Sequence, residues 1–241
     1  MALQPAVVEL ESIPLFSGLP RRVFARLAKG AQTLDVARGT MLYANGDACG
    51  GIHAVVSGRV SLALRGPQDA ERVVALVGRG ETFGEAAALL GQPHFMCAEA
   101  LVPTHLIFVA KSVVLASMSR DVAFADRMAV SLARRLRRVM HEVENMTLHS
   151  GTDRVVDFLV AALADAPSQG AAIVELPAKK RIIASHLDLT QEHFSRILHE
   201  LAAERLLVVQ GPRVSIPDIA RLRAYHEESY ALPASTVRRI S

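Results

Sequence analysis

The sequence contains no tryptophan, few aromatic residues of any kind (5%) and two cysteines, Cys49 and Cys97. Two thiols cannot build a disulfide framework, and alone they cannot supply the four thiolates of an iron–sulfur cluster or a cysteine-only zinc site. Long apolar runs are also missing. The longest charge-free stretches, Ala86 to Ala98 and Ala100 to Ala110, are interrupted by Gly, Pro or His and fall short of the ~20 residues that span a bilayer. No membrane partner is expected. Met1 to Glu11 has no basic residue and carries Glu9 and Glu11, so the pattern of a secretory signal is lacking and a cytoplasmic location is expected. Neither charge sign dominates: 27 basic against 24 acidic side chains leave +3, too little to identify a nucleic-acid partner unless the cations are clustered. The sequence does have apolar content, 51% against 21% charged, over 241 residues. That is enough for a folded core, and the length suggests two domains.

Residues 33 to 110 read as many short strands, including Ile52 to Val56, Val60 to Leu64, Val73 to Val77 and His105 to Val109. They are separated by turn residues such as Asn45-Gly46-Asp47, Ser57-Gly58 and Gly91-Gln92-Pro93, the spacing of an antiparallel sandwich or barrel. An amphipathic helix, Arg21 to Lys29, precedes them. From Lys111 to about His149 there is no Gly or Pro, and one heptad register runs through Met118, Val122, Ala125, Ala129, Leu132, Leu136, Val139, Val143 and Met146. So narrow a stripe predicts a two-stranded coiled-coil seam, hence a homodimer; the alternative is a long helix lying on the β-domain. Arg134, Arg135, Arg137 and Arg138 are expected on its solvated face. Thr152 or Asp153 can cap a further helix with Val155, Val156, Leu159, Val160 and Leu163 at helical spacing. A strand over Ile173 to Leu176 follows, and the chain after Tyr225 is expected to be mobile. The predicted organisation is α+β: residues 1–115 a β-rich domain, 116–150 a dimerisation helix, 151–241 a DNA-binding domain.

That last assignment rests on two tandem helices, about Ala178 to His186 and Gln191 to Arg205, joined by Leu187-Asp188-Leu189-Thr190 and followed by a hairpin, Leu207 to Gln210 and Arg213 to Ile216, turning at Gly211-Pro212. This is the sequence form of a winged helix-turn-helix, whose second helix enters the major groove. Ala184 is small where the helices cross, Asp188 tolerates a left-handed turn, and Thr190 is a good N-cap. Gln191, Glu192, Ser195 and Arg196 then face outward from the first two turns. A carboxylate can accept from cytosine N4 and a guanidinium can donate twice to guanine, although Glu192 and Arg196 could equally be an exposed i,i+4 ion pair. Lys179, Lys180 and Arg213 are candidate phosphate contacts.

The order of these pieces, together with Pro14-Leu15-Phe16, Ser57-Gly58-Arg59-Val60, Phe83-Gly84-Glu85 and Ile182 to Arg196, resembles the cAMP receptor protein/FNR superfamily of bacterial transcription regulators over residues 14 to 225. The resemblance implies a β-roll, cyclic-nucleotide-binding-like sensor domain over residues 1–115, a dimer helix and a winged helix-turn-helix that binds palindromic promoter DNA and contacts RNA polymerase. Glu192, Ser195 and Arg196 match the E-x-x-S-R of the FNR branch, implying a TTGAT-like half-site. In the effector pocket Gly84 and Glu85 match the family's ribose contacts, but His94 and Phe95 stand where cyclic-nucleotide binders carry Arg and Ser or Thr. Phe there would deprive an anionic phosphate of its charge-assisted hydrogen bonds, so cAMP is not expected. FNR's N-terminal cysteine cluster is lacking, so no iron–sulfur cluster is expected. The remaining pocket, with Met96 from the roll and Leu136, Val139 and Met140 from the dimer helix, is apolar and suits haem, with His94, His53, His141, His149 and Met96 as candidate ligands. The C-terminal run, including Arg154-Val155-Val156 and Phe194 to Ile197, is similar to nitrogen-oxide-responsive regulators of denitrification, which implies nitric oxide sensing through haem. No nucleophile motif, metal-ligand spacing or phosphate loop supports an enzyme. The competing reading is an effector-independent regulator whose β-roll serves only dimerisation and RNA polymerase contact.

Overall fold

The computed structural model describes residues 9–66, 71–164 and 166–230, with the side chains of 229 and 230 left aside. One compact unit ends at Arg138 and a second begins at Val139.

After a helical turn over residues 9–11 that buries Leu10, the first unit forms α1 (Arg21–Lys29), which buries Val23 and Leu27 as its periodicity requires. Eight strands follow: β1 (Ala31–Val36), β2 (Met41–Tyr43), β3 (Gly51–Ser57), β4 (Val60–Arg65), β5 (Glu71–Val77), β6 (Thr82–Phe83), β7 (Cys97–Ala100) and β8 (Thr104–Ala110), with α2 (Glu85–Leu90) between β6 and β7. They form two four-stranded antiparallel sheets, ordered β1-β8-β3-β6 and β2-β7-β4-β5. β3 is buried on both faces because its alternate residues serve different cores. Val55 joins Leu62, Phe83, Ala98 and Leu106 inside the roll, while Ile52 and Ala54 pack under the helices with Phe16, Leu27, Ile107 and Val109.

The helical stretch after β8 is not continuous. α3 (Lys111–Arg120) ends at Asp121, which takes extended backbone angles of φ −145°, ψ 110°, and α4 (Val122–Leu148) begins after it. Asp121 is buried, and its carboxylate accepts the Phe124 backbone N–H at 3.2 Å, capping the new helix. Met118 therefore lies on α3, half-buried against the core, and drops out of the heptad series. α4 carries two apolar stripes: Phe124 and Met128 are fully buried, whereas Val122, Leu136, Val139, Met140 and Val143 are exposed in the single chain.

The second unit contains α5 (Gly151–Ala161), β9 (Ala172–Glu175), α6 (Lys180–His186), α7 (Gln191–Ala203), β10 (Val208–Gln210), β11 (Arg213–Ile216) and α8 (Ile219–Tyr230). The N-cap of α5 is Ser150, rather than Thr152 or Asp153: its hydroxyl accepts from Asp153 N and the Asp153 carboxylate accepts from Ser150 N, a reciprocal capping box. The sheet order is β10-β11-β9, so the wing hairpin is extended by a third strand. α8 corrects the expectation of a mobile end beyond Tyr225, since the helix continues to Tyr230 and buries Ile219 and Leu222 against α5, α6 and α7. Residues 231–241 lie outside the described part. Among the described residues no helix is long and apolar enough to cross a membrane.

Candidate functional site

In the first unit, Gly84 turns β6 into α2 at φ +93°, a conformation L side chains rarely adopt, with the Gly51 carbonyl so near that a Cβ would meet it at 3.1 Å. This places Glu85 at the first helical position, only 3% exposed. Its Oε2 accepts from Arg135 Nη1 of α4 at 3.1 Å, and the same nitrogen donates to the Thr82 carbonyl at 3.3 Å. One turn on, Arg138 Nη1 reaches Glu81 Oε1 at 2.7 Å. Arg135 is thus half-buried against the roll, while Arg134, Arg137 and Arg138 lie exposed as expected, Arg138 with its ion pair at the surface. Sequence reasoning missed Arg135, although it follows Leu132 by three residues and so shares its helix face.

Beside this ion pair is a cavity of about 80 Å³ lined by Gly84, Glu85, His94, Phe95 and Met96 as expected, and by Tyr43, Leu132 and Arg135. Leu136 is not among the lining residues; it is 61% exposed, and Val139 and Met140 of the second unit are exposed as well. His94 lies flat on Tyr43, ring centroids 3.5 Å apart and 8° between planes. Its backbone is pinned by His94 N to the Asp47 carbonyl (2.9 Å) and Gly46 N to the His94 carbonyl (2.7 Å). Burial pushes the His94 imidazole down from its ordinary pKa, against the opposing pull of Asp47. His53 stacks on Phe83 at 4.9 Å, and burial, with His94 adding to it, pushes it down to about 4. It is a neutral ring at neutral pH, with Nδ1 buried and lacking a hydrogen-bond partner. Burial and the neighbouring Glu85 likewise push the Tyr43 phenol upward. Cys49 is half-buried with its thiol donating to the Gly51 carbonyl at 3.4 Å, and Cys97 is buried; both are free.

These residues do not fit a haem. Sites enclosing drug-sized ligands measure ~300–1,000 Å³, several times this cavity. His94 spends its face on Tyr43, and His53 sits among Tyr43, Phe83 and Phe108. His141 and His149 belong to the second unit, where His141 lies 3.3 Å from Asp157. Among the described residues no group of three or more His, Cys, Asp or Glu is arranged to hold a metal ion.

In the second unit the helix-turn-helix forms where the sequence places it. Asp188 has φ +57°, supplying the left-handed step between α6 and α7. Thr190 Oγ1 accepts from His193 N at 3.1 Å, starting α7 at Gln191. Ala184, Ile183, Phe194, Ile197, Leu198 and Leu201 are buried beneath, which turns Gln191, Glu192 and Arg196 outward with Ser195 half-exposed beside them. Arg196 pairs with Glu200, 3.7 Å away on the next turn, and not with Glu192. Lys179 is the exposed N-cap of α6 and Lys180 its half-buried first residue; Arg213 in the wing pairs with Glu175 at 3.2 Å. A helix whose first two turns project above a capped turn can enter a major groove ~12 Å wide.

Comparison with known proteins agrees with both halves. Residues 33–121 match the cyclic nucleotide-binding domain, and residues 153–225 the Crp-like helix-turn-helix domain. A Ruegeria pomeroyi crystal structure, provisionally assigned as a cyclic nucleotide binding protein, is 30% identical and superposes with a TM-score of 0.66 over 94% of this chain and 99% of its own. The chain belongs to the CRP/FNR family of transcription regulators. Among other CRP/FNR relatives, the cyclic AMP receptor protein of Thermus thermophilus is 29% identical over 88% of this chain and 96% of its own. The structure of DNR from Pseudomonas aeruginosa is 27% identical over 93% of this chain and all of its own, with a TM-score of 0.50. The two family models leave residues 1–32, 122–152 and 226–241 unmatched, and those segments include His141, Asn145 and His226.

Proposed function

We propose that the chain acts in the cytoplasm as a homodimer that binds palindromic promoter DNA, reading a TTGAT-like half-site with Gln191, Glu192, Ser195 and Arg196 and gripping phosphates with Lys179, Lys180 and Arg213. The observation that carries this is the outward half of α7, raised by the Asp188 turn and the Thr190 cap and bearing an unburied carboxylate, amide and guanidinium. Support for the dimer comes from Val122, Leu136, Val139 and Val143, an exposed apolar row on a helix whose other side is already buried. RNA polymerase is the proposed protein partner, and no catalytic step is assigned.

For the roll we propose a small effector at the Glu85–Arg135 cavity. Haem is not proposed, because the cavity is too small to enclose the macrocycle. Nitric oxide sensing through haem loses its basis on the same ground; the likeness to DNR supports the fold and carries no effector with it. Cyclic AMP is also not proposed: at the positions expected to hold its phosphate stand His94, stacked on Tyr43, and Phe95, 53% exposed. The same His94–Tyr43 stack favours a second reading, in which the roll works without an effector.

The test measures binding to an inverted-repeat TTGAT duplex by anisotropy, with and without cAMP, alongside cAMP calorimetry. Preference for the inverted repeat over a scrambled duplex is expected, unchanged by cAMP. Equal binding to both duplexes would reject the DNA reading, and a micromolar cAMP dissociation constant would overturn the exclusion of cAMP.

A further inference from the structure

In the second unit, three helices meet at one carboxylate. Asp157 of α5 accepts from Asn145 Nδ2 of α4 at 2.8 Å on Oδ2. His141 Nε2, one turn earlier on α4, lies 3.3 Å from that oxygen, and His226 Nε2 of α8 lies 3.1 Å from Oδ1. An ionised carboxylate only accepts, so His226 presents Nε2–H to it. Asn145 is 7% exposed and the side chains of Asp157 and His226 are 21% exposed, so the Asn145 and His226 contacts are mostly shielded from water, whereas His141 is 49% exposed.

The opposite end of the connection is the reading helix. One turn before Asp157, Arg154 of α5 reaches Asp188 in the turn that precedes α7, at 3.8 Å with its side chain 13% exposed. The first residue of α5, Gly151, is packed so closely that a Cβ would meet Leu189 at 3.0 Å and Ile197 at 3.3 Å. α5 is therefore held to the turn and α7 at its start, and to the last turns of α4 and to α8 through Asp157. α8 is itself fixed to this body: Arg223 donates to the Leu163 carbonyl at 3.2 Å and Arg221 to the Glu204 carbonyl at 3.0 Å.

We infer that Asp157 is a positioning residue that, through Asn145, His141 and His226, sets the angle at which α4 leaves the DNA-reading body and so the separation of the two reading helices in the dimer. The inference rests on the dimeric DNA-binding reading above. A rigid joint keeps the second helix at high effective concentration over its half-site once the first has bound, whereas a loose joint loses that advantage and leaves each single contact intact. α8 becomes part of the recognition apparatus without touching DNA.

The test uses the full chain and an inverted-repeat duplex selected by the wild-type protein from a random pool, compared with the same duplex carrying one scrambled half-site and with one carrying an added base pair between half-sites. Asp157→Asn, which removes one acceptor oxygen, is expected to weaken binding to the intact repeat by about tenfold. Single-half-site binding should stay within about twofold, and the penalty for the added base pair should shrink. His226→Leu should behave like Asp157→Asn, whereas His226→Gln, which can still donate, should behave like wild type. Parallel losses on the repeat and the single half-site would reduce Asp157 to an ordinary structural residue and overturn the inference, as would no loss on either. If the wild-type protein itself bound the intact repeat no better than the scrambled one, the dimeric reading would fall, and the inference with it.

Discussion

Glu85 and Arg135 neutralise each other across 3.1 Å, one at the start of α2 and almost fully buried, the other reaching in from α4. Removing the cation would strand a buried carboxylate, which is far costlier than never having had the pair. Arg135→Leu is expected to destabilise the folded chain by about 3 kcal/mol, with Glu85→Gln in the same chain restoring much of the loss. Urea unfolding of the single and double variants checks this. A double variant no more stable than the single one would mean the pair is not the cause.

The exposed stripe of α4 supplies the second prediction. Leu136→Asp with Val143→Asp would place charge in an apolar seam, at a cost of several kcal/mol unless paired. Sedimentation is expected to show a dimer for the wild type and a monomer for the variant, with an unchanged far-UV spectrum. Leu132 is unsuitable for this test because it faces the roll cavity.

Arg196 and Lys180 should fail differently on DNA. Arg196→Ala is expected to cost about 1–3 kcal/mol and to relax selectivity at one G·C pair, while Lys180→Ala should weaken all sequences alike and lower the salt slope by about one. Binding across single-base operator variants at fixed salt separates the two. A uniform loss with Arg196→Ala would make it a phosphate contact. Glu200→Ala, which frees Arg196, gives the converse variant.

Two histidines set opposite pH limits. His53, pushed down to about 4, is neutral when folded and protonated when unfolded between that value and 6.5. Its contribution is complete above 6.5 and is lost as pH falls toward 4, a span of about 3 kcal/mol. His105 behaves oppositely: the hydrogen bonds its ring donates to Glu9 first and Asp35 second raise its pKa, so its contribution is complete below 6.5 and fades as pH rises through the raised value. Unfolding free energies against pH should therefore flatten on the acid side in His53→Phe and above 6.5 in His105→Gln. An unchanged acid slope in His53→Phe would remove His53 from the account.

The helix-turn-helix was readable almost to the residue because its signals are local: a polar residue at the left-handed step, a hydroxyl at the cap, apolar residues three and four apart. The strands were bounded by their turn residues in the same way. Asp121 was not readable, since nothing in a Gly- and Pro-free run marks a break; the aspartate breaks the helix because it is buried and caps Phe124. The heptad reading found the outward stripe of α4 and passed over the inward one, Phe124 and Met128, because one helix carries both. Arg135 and Asp157 depend on partners 50 and 69 residues away, Glu85 and His226. Only the folded chain brings such pairs together.

The outward stripe of α4 also makes chain abundance a variable in its own right. Under the proposed dimer, apolar side chains such as Leu136 and Val143 find cover only in a second copy, so apparent stability rises with protein concentration by mass action. In the dilute range the dimer population grows with the square of the chain concentration, and promoter occupancy follows it. A twofold change in synthesis would then produce roughly a fourfold change in bound promoter, which makes the rate of production of this regulator an input signal.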